Sequence, residues 1–341
     1  MQIQTDVSLK DYSTMRLGGN AAHLTLVSSE SELIEAIEWA QSRSLPVIMI
    51  GGGSNVLWRD EGFPGLVLVN RIPGFTIEDK GNNRFHVTTG AGENWDAVIA
   101  RTTAEGLTGI ENLSLIPGTV GATPIQNVGA YYQDISDTLV QVTAYDLQKK
   151  AMVTLTKAEC ELAYRTSRFK SKDHGRFFIT SVTFHLEKRD PEPPFYPSLQ
   201  QYLDDHNITS FTPEVIRQAV IAVRSAKLPD PAKVANNGSF FANPMITQEK
   251  LNELQETYGN VMHWPVGENV YKIPAAWLVQ EAGFKGVHDK ETGMATWPTQ
   301  AIVLVNEHAK TTADALAFKQ KILDAVQKQF GITLEQEPVV L

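Results

Sequence analysis

Two stretches of this chain combine residue types that could hold a phosphate or a large polar group. The first is Ile50-Gly51-Gly52-Gly53-Ser54-Asn55-Val56-Leu57, which follows an apolar run. Consecutive glycines let backbone N–H groups approach an anion closely and form a concave nest. Neither familiar nucleotide loop fits: a dinucleotide fingerprint needs glycine where Val56 stands, and a P-loop needs Gly-Lys-Ser/Thr. Taken alone, the segment also reads as a tight strand-to-loop turn with no ligand. The second stretch, Leu115 to Tyr131, carries Pro117, Gly118, Gly121, Ala122, Thr123, Gln126, Gly129 and Ala130 in a run too irregular for a helix or a strand. Loops of that length inside compact domains are usually functional, and one with many donors and little bulk suits a large polar cofactor; an ordinary surface loop is the alternative.

Such loops need elements to position them. Apolar residues at helical spacing predict a helix over Ser31 to Arg43, with Leu33, Ile34, Ala36, Ile37 and Ala40 on one stripe, and Pro46 to Ile50 then reads as a buried strand opening into the first glycine segment. Further strands are predicted at Gly65 to Val69, Arg84 to Thr89, Val140 to Leu147, Met152 to Thr156 and Phe177 to Leu186, with a helix over Asn94 to Glu105. Lys188 to Pro197, with Pro191, Pro193, Pro194 and Pro197, is predicted to be a loop, a candidate lid. Helical spacing returns at Glu214 to Ala226, Thr247 to Tyr258, Ala275 to Ala282 and Thr311 to Phe330, with a strand at Ala301 to Asn306.

The 341 residues exceed a usual single core, so two or three domains are expected. With 42% hydrophobic and 20% charged residues the chain is globular rather than disordered. A net charge of -9 argues against nucleic acid as a partner, though a local basic pocket for one phosphorylated ligand is compatible with it. The single cysteine, Cys160, excludes an intramolecular disulfide, and Met1 to Asp11 lacks a basic-apolar leader, so a cytoplasmic location is expected. No apolar run is long enough to span a bilayer.

Further motifs follow in a recognisable order. Gly51-Gly-Gly-Ser-Asn-Val-Leu and Ile116-Pro-Gly-Thr-Val-Gly-Ala-Thr-Pro-Ile-Gln-Asn-Val-Gly-Ala-Tyr are followed by Tyr164-Arg-Thr-Ser-Arg-Phe-Lys, Lys227-Leu-Pro-Asp-Pro, Gly238-Ser-Phe-Phe-Ala-Asn-Pro and Leu334-Glu-Gln-Glu. This set, spanning nearly the whole chain, resembles the UDP-N-acetylenolpyruvoylglucosamine reductase family. The proline-rich segment with Tyr196 resembles the family's larger form, whose tyrosine loop folds over bound substrate.

The resemblance implies an α+β protein with the vanillyl-alcohol-oxidase-type (PCMH-type) FAD-binding fold of two subdomains, residues 1–70 and 71–228, then a C-terminal α+β substrate-binding domain, 229–330, with 331–341 returning to the active site. It implies non-covalent FAD reduced by NADPH, and reduction of UDP-N-acetylglucosamine enolpyruvate to UDP-N-acetylmuramate for peptidoglycan precursors. Gly51, Gly52, Gly53, Ser54 and Asn55 would hold FAD together with the eight residues named in the second loop. Ser239 matches the family's proton donor, and a hydroxyl suffices because an enolic intermediate is strongly basic. Arg165 and Glu337 match the other two residues at the reacting carbons, Arg165 able to stabilise developing enolate charge. Lys227 resembles the residue that neutralises ligand charge, and Tyr196, Asn243 and Gln300 resemble binders of the UDP portion and hexose, with Tyr164 in support. A monomer is expected, with no metal.

Each assignment has a plainer competitor: a capping or turn serine for Ser239, surface ion pairs for Arg165, a solvated terminal carboxylate for Glu337, core packing for Tyr164. His288 in Gly286-Val-His-Asp-Lys has no metal-ligand spacing or paired nucleophile and reads as loop or rim, and Cys160 reads as a small core residue. Departures from the family pattern fall at Tyr132, where glycine is usual, at Ala242, where lysine is common, and at Val339, where arginine occurs. Another FAD-dependent oxidoreductase of the same fold is the alternative function, and a non-catalytic UDP-sugar binder is the rival from a different class.

Overall fold

The apolar run before the first glycine segment is a short strand, Val47–Ile50, in the computed structural model, which describes residues 1–341. It is parallel to Phe63–Asn70, itself parallel to Asn20–Val27, and Gln4–Ser8 completes a four-stranded sheet. The helix Glu30–Gln41 covers this sheet. It begins where Ser29 Oγ accepts from the Glu32 N–H at 3.2 Å, which satisfies one orphan donor of the first turn, and it buries Leu33, Ala36, Ile37 and Ala40 on one stripe.

A second, antiparallel sheet runs in the order Ala151–Thr156, Leu139–Asp146, Phe177–Glu187, Arg84–Gly90, Phe75–Asp79. The helix Trp95–Ala104 follows it and packs Trp95, Val98 and Ile99 into the same core as Val142, Val182 and Phe184. Chain contacts divide the molecule into two units. Met1–Val7, Ala21–Gly53 and Phe63–Ala226 form the first; Ser8–Asn20, Ser54–Gly62 and Lys227–Leu341 form the second.

The second unit has its own antiparallel sheet, Ala235–Ser239, Gln300–Asn306, Met294–Trp297 and His288–Asp289. A three-stranded sheet, Met245–Thr247, Val270–Lys272 and Trp264–Gly267, accompanies it. Ala275–Glu281 and Thr312–Phe330 bury Leu278, Phe318 and Ile322 in one core. The last two residues of regular structure, Val339–Val340, pair in parallel with Val56–Leu57. No helix is long and apolar enough to cross a membrane.

Most predicted elements are present within two residues of their expected ends. Lys188 to Tyr196 contains no helix or strand, but Pro197 starts a helix, Pro197–Asp205, where the prediction had only loop. Proline at the first helical position loses no hydrogen bond, so a residue that suggests a break is here a start. The strand Asn20–Val27 and the small sheet of 245–272 lie outside the expected elements, because the first alternates only over His23 to Leu26 and the strands of the second are three or four residues long.

One ion pair ties the end of one strand of the antiparallel sheet to the residue just before its neighbour. Asp146 is buried at the end of its strand, and its carboxylate accepts from Arg176 Nε at 3.0 Å, from Arg176 Nη2 at 2.7 Å and from the Gln148 N–H at 2.9 Å. The Arg176 hydrogen bond is the main cause that holds the Asp146 pKa down at about 2, against 3.8 for the free group. A depressed carboxylate stabilises the fold above its unfolded pKa and loses that contribution as pH falls through the folded value. Asp146→Asn is therefore expected to lower stability by about 2 kcal/mol at neutral pH. Urea unfolding at a series of pH values should show the gap from wild type closing as pH falls from about 4 toward 2; a gap independent of pH would refute the assignment.

Candidate functional site

In the first unit the two glycine-rich segments meet. A Cβ on Gly51 would lie 2.0 Å from Thr119 Oγ1, and one on Gly52 would lie 3.2 Å from the Gly118 Cα. Residues so distant in sequence approach at backbone separation because neither glycine has a side chain. Gly53 takes a φ of +67°, which turns the chain away from the strand. The second loop is held from beneath: the Trp95 N–H donates to the Gly118 carbonyl at 3.1 Å, and Gly121 N–H to the Ala91 carbonyl at 2.9 Å. Asp96, in the first turn of Trp95–Ala104, accepts from the Leu115 N–H at 2.6 Å and takes a two-pronged bond from Arg217 at 2.7 and 2.9 Å. The loop is thus fixed at its start by a charged clamp on a helix N-terminus.

Within that loop Pro117 and Ala122 are exposed, whereas Thr123 is buried and donates to the Val120 carbonyl at 2.8 Å. Gln126 Oε1 accepts from Lys170 at 3.2 Å. Gly129–Ala130 pairs with Gln133–Asp134 in a small hairpin, and Arg165 reaches it, donating from Nη2 to the Gly129 carbonyl at 2.8 Å. Arg165 sits in a tight turn closed by the Ala163–Thr166 bridge, at a φ of +56°, with its guanidinium 5.1 Å from the Tyr164 ring centre. Non-glycine residues held in this region cluster at functional positions. The structure therefore joins Arg165 to the second glycine loop.

Tyr196 opens the helix Pro197–Asp205 and packs against Tyr131 and Tyr132 at ring-centre distances of 5.3 and 4.9 Å. Burial raises the pKa of both Tyr131 and Tyr196. Beside Tyr131 stands a residue that the motifs did not single out, Arg224 of the helix Pro213–Lys227. The positive charge of its guanidinium is felt at Tyr131, burial lowers its pKa, and its Nε is buried without a hydrogen-bond partner. A cation with a buried, unused N–H is costly and points to a polar or anionic group that completes it. No sequence signal separates Arg224 from Arg217, about two turns away on the same face of that helix, which is spent on Asp96.

In the second unit Ser54 and Asn55 continue the first glycine segment. The Ser54 and Val56 carbonyls accept from Asn237 Nδ2 at 3.1 and 3.3 Å, so the segment is strapped to the strand that ends in Ser239. Ser239 is half-buried, pairs with Val303, and follows Gly238 at a φ of +69°. It is neither a helix cap nor an exposed turn serine. Glu337 is 9% exposed despite lying four residues from the last. Its N–H donates to the Phe240 carbonyl at 3.0 Å and its carbonyl accepts from Asn55 Nδ2 at 3.3 Å. Ser239, Glu337 and Asn55 are therefore brought together by main-chain bonds of three distant segments.

The other predicted residues of this unit hold structural bonds as well. Asn243 Oδ1 accepts from the Ala275 N–H at 2.9 Å at the start of Ala275–Glu281. Lys227 ends its helix with its carbonyl accepting from Thr299 at 2.6 Å, and Gln300 begins a sheet strand opposite Trp297. Ala242 and Val339, the departures noted above, make main-chain bonds to Glu335 and Asn55. His288 is exposed and bonds Glu307 at 2.9 Å, a rim position. Cys160 is buried in the first unit's core, where desolvation pushes its thiol up to about 12, so it is chemically quiet. No group of three or more His, Cys, Asp and Glu side chains is placed to hold a metal.

Comparison with known proteins gives this arrangement a family. Residues 21–154 match the FAD binding domain, and residues 230–341 match the UDP-N-acetylenolpyruvoylglucosamine reductase C-terminal domain. Over 98% of its length the chain is 40% identical to UDP-N-acetylenolpyruvoylglucosamine reductase from Cupriavidus pinatubonensis, covering 97% of that protein. The chain belongs to the UDP-N-acetylenolpyruvoylglucosamine reductase family.

The reductase of Chromobacterium violaceum is 36% identical over 100% of this chain and 99% of its own length. The crystal structure of UDP-N-acetylenolpyruvylglucosamine reductase from Thermus caldophilus superposes with a TM-score of 0.67 at 24% identity, covering 100% of this chain and 99% of that one, which establishes the shared fold. The fold class expected of a reductase of this family, an α+β FAD-binding arrangement followed by a C-terminal domain, is the one found. The first unit fits a bulky polar cofactor such as FAD on two structural counts: glycine contacts that admit no Cβ, and the unused buried N–H of Arg224.

Proposed function

We propose that this chain reduces UDP-N-acetylglucosamine enolpyruvate to UDP-N-acetylmuramate in the cytoplasm, as a monomer, with FAD bound without a covalent link. The observation that carries the reading is end-to-end similarity to reductases of that name, which includes both the FAD-binding and the C-terminal segments. FAD, reduced by NADPH, supplies the hydride when bound.

The chain's own residues supply everything else. Gly51 to Asn55 and the loop from Pro117 to Ala130, including Gly118, Gly121, Ala122, Thr123, Gln126 and Gly129, hold the cofactor through backbone donors, with Arg224 adding positive charge beside Tyr131. Arg165 neutralises the substrate carboxylate, whose negative charge grows as the enol ether is reduced. Ser239 Oγ–H donates its proton to the carbon next to the one that receives hydride, and the alkoxide left behind recovers a proton from solvent. Glu337, buried beside the Ser239 strand, completes the polar environment of the reacting carbons. Lys227, Tyr164, Tyr196, Asn243 and Gln300 hold the sugar nucleotide.

The test is an anaerobic single turnover. NADPH should bleach the visible flavin band of the purified protein, and UDP-N-acetylglucosamine enolpyruvate should restore it within the time of one turnover. Flavin that NADPH reduces but that this substrate leaves bleached would overturn the proposal.

A further inference from the structure

Tyr132 is an expensive residue for its position. The hairpin Gly129–Ala130 to Gln133–Asp134 turns through Tyr131 and Tyr132 alone, at φ of +51° and +64°. Two-residue hairpin turns with both central residues at positive φ favour asparagine and glycine, and a bulky aromatic there is disfavoured. Tyr131 has an evident compensation, since its ring joins the apolar cluster of Phe195, Leu199, Leu203, Ile216 and Val220. Tyr132 does not join that cluster. It is 61% exposed, and its aromatic contact is with Tyr196, 4.9 Å between ring centres at 60°.

Tyr196 thus lies against both turn tyrosines, at the junction of the proline-rich segment and the helix Pro197–Asp205. Its carbonyl accepts from the Leu199 and Gln200 N–H groups at 2.8 and 2.9 Å, so the position of its ring is tied to the first turn of that helix. We propose that Tyr132 is a positioning residue for substrate binding: its ring clasps Tyr196 and holds the proline-rich segment against the second glycine loop before the sugar nucleotide arrives. This deepens the function proposed above and rests on the assignment of Tyr196 to the nucleotide portion.

The contact is worth what an exposed aromatic pair is worth, a few-fold change in the population of the held segment. Glycine at residue 132 relieves the backbone while removing the ring, so Tyr132→Gly should fold at least as well as wild type. In that variant KM for UDP-N-acetylglucosamine enolpyruvate is expected to rise about threefold to tenfold, with flavin reduction by NADPH unchanged. Tyr132→Phe keeps the ring and should restore the wild-type KM. In the Tyr196→Ala background, Tyr132→Gly should add nothing, because the ring it clasps is gone.

Hydrogen exchange of a peptide covering residues 192–200, measured without substrate, reads the clasp independently of catalysis. Faster exchange in Tyr132→Gly, rescued in Tyr132→Phe, supports it. Unchanged exchange overturns the clasp, as does an effect of Tyr132→Gly that persists undiminished in the Tyr196→Ala background. Faster exchange with an unaltered KM overturns the claim that the clasp serves substrate binding and places the fault in the assignment of Tyr196.

Discussion

Ser239→Ala accepts reducing equivalents from NADPH at the wild-type rate and then returns them to UDP-N-acetylglucosamine enolpyruvate slower by about 100- to 10,000-fold, the usual worth of a positioned proton donor. The separation of the two phases is the informative part. Ser239 is half-buried at the end of a strand whose shape is set by its neighbours: Asn236 Oδ1 accepts from the Gly238 N–H at 2.8 Å, and Asn237 straps the strand to Ser54 and Val56. Removing one half-buried hydroxyl leaves those bonds in place, so the thermal midpoint should move by no more than about a degree or two. Stopped-flow absorbance after mixing NADPH-reduced enzyme with substrate measures the second phase alone. Reoxidation of Ser239→Ala at the wild-type rate would remove the serine from the mechanism, whereas slow reduction by NADPH would show that the substitution disturbed the cofactor instead.

Gly51→Ala should be purified largely without flavin. The added methyl would sit 2.0 Å from Thr119 Oγ1, and Thr119 is itself buried, so the two glycine-bearing segments have to separate. Overpacking of this kind costs about 1–3 kcal/mol, which converts to roughly five- to hundredfold weaker flavin binding if the interlocked loops are the cofactor's seat. The second-site change Thr119→Ala removes the nearest atom and leaves the next at 3.2 Å, a tight but tolerable contact, so the double variant should regain much of the flavin. Flavin stoichiometry by absorbance and affinity by fluorescence titration decide the matter. Wild-type affinity in Gly51→Ala would show that the meeting of the loops has no part in holding the cofactor.

Helix limits in this chain were written locally. Thr311 and Asp314 exchange capping bonds at the start of Thr312–Phe330, and Gly331 closes it at a φ of +67°, so start and stop signals lie within a turn of the ends they mark. The glycine segments were legible for a related reason: only glycine permits backbone to approach backbone, and a run of glycines signals that need without saying what approaches. Ordered motifs over the whole length then named the family.

What the sequence by itself determined is therefore most of the local elements, the family, and a set of candidate residues for chemistry. Their surroundings belong to the tertiary structure. Glu337 reads as a solvated carboxylate near a chain end, and only the pairing of Val339–Val340 with Val56–Leu57 and the bond from its N–H to Phe240 make it buried. Arg217 and Arg224 share one helix, and only packing assigns the first to Asp96 and leaves the second with an unused buried N–H. Tyr132 reads as a departure from pattern, and only the hairpin brings its ring to Tyr196. The physical reason is common to all three. Capping and periodicity act between residues a few positions apart, where chain connectivity fixes the geometry, whereas burial, charge pairing and ring contact depend on segments that the chain brings together from far away.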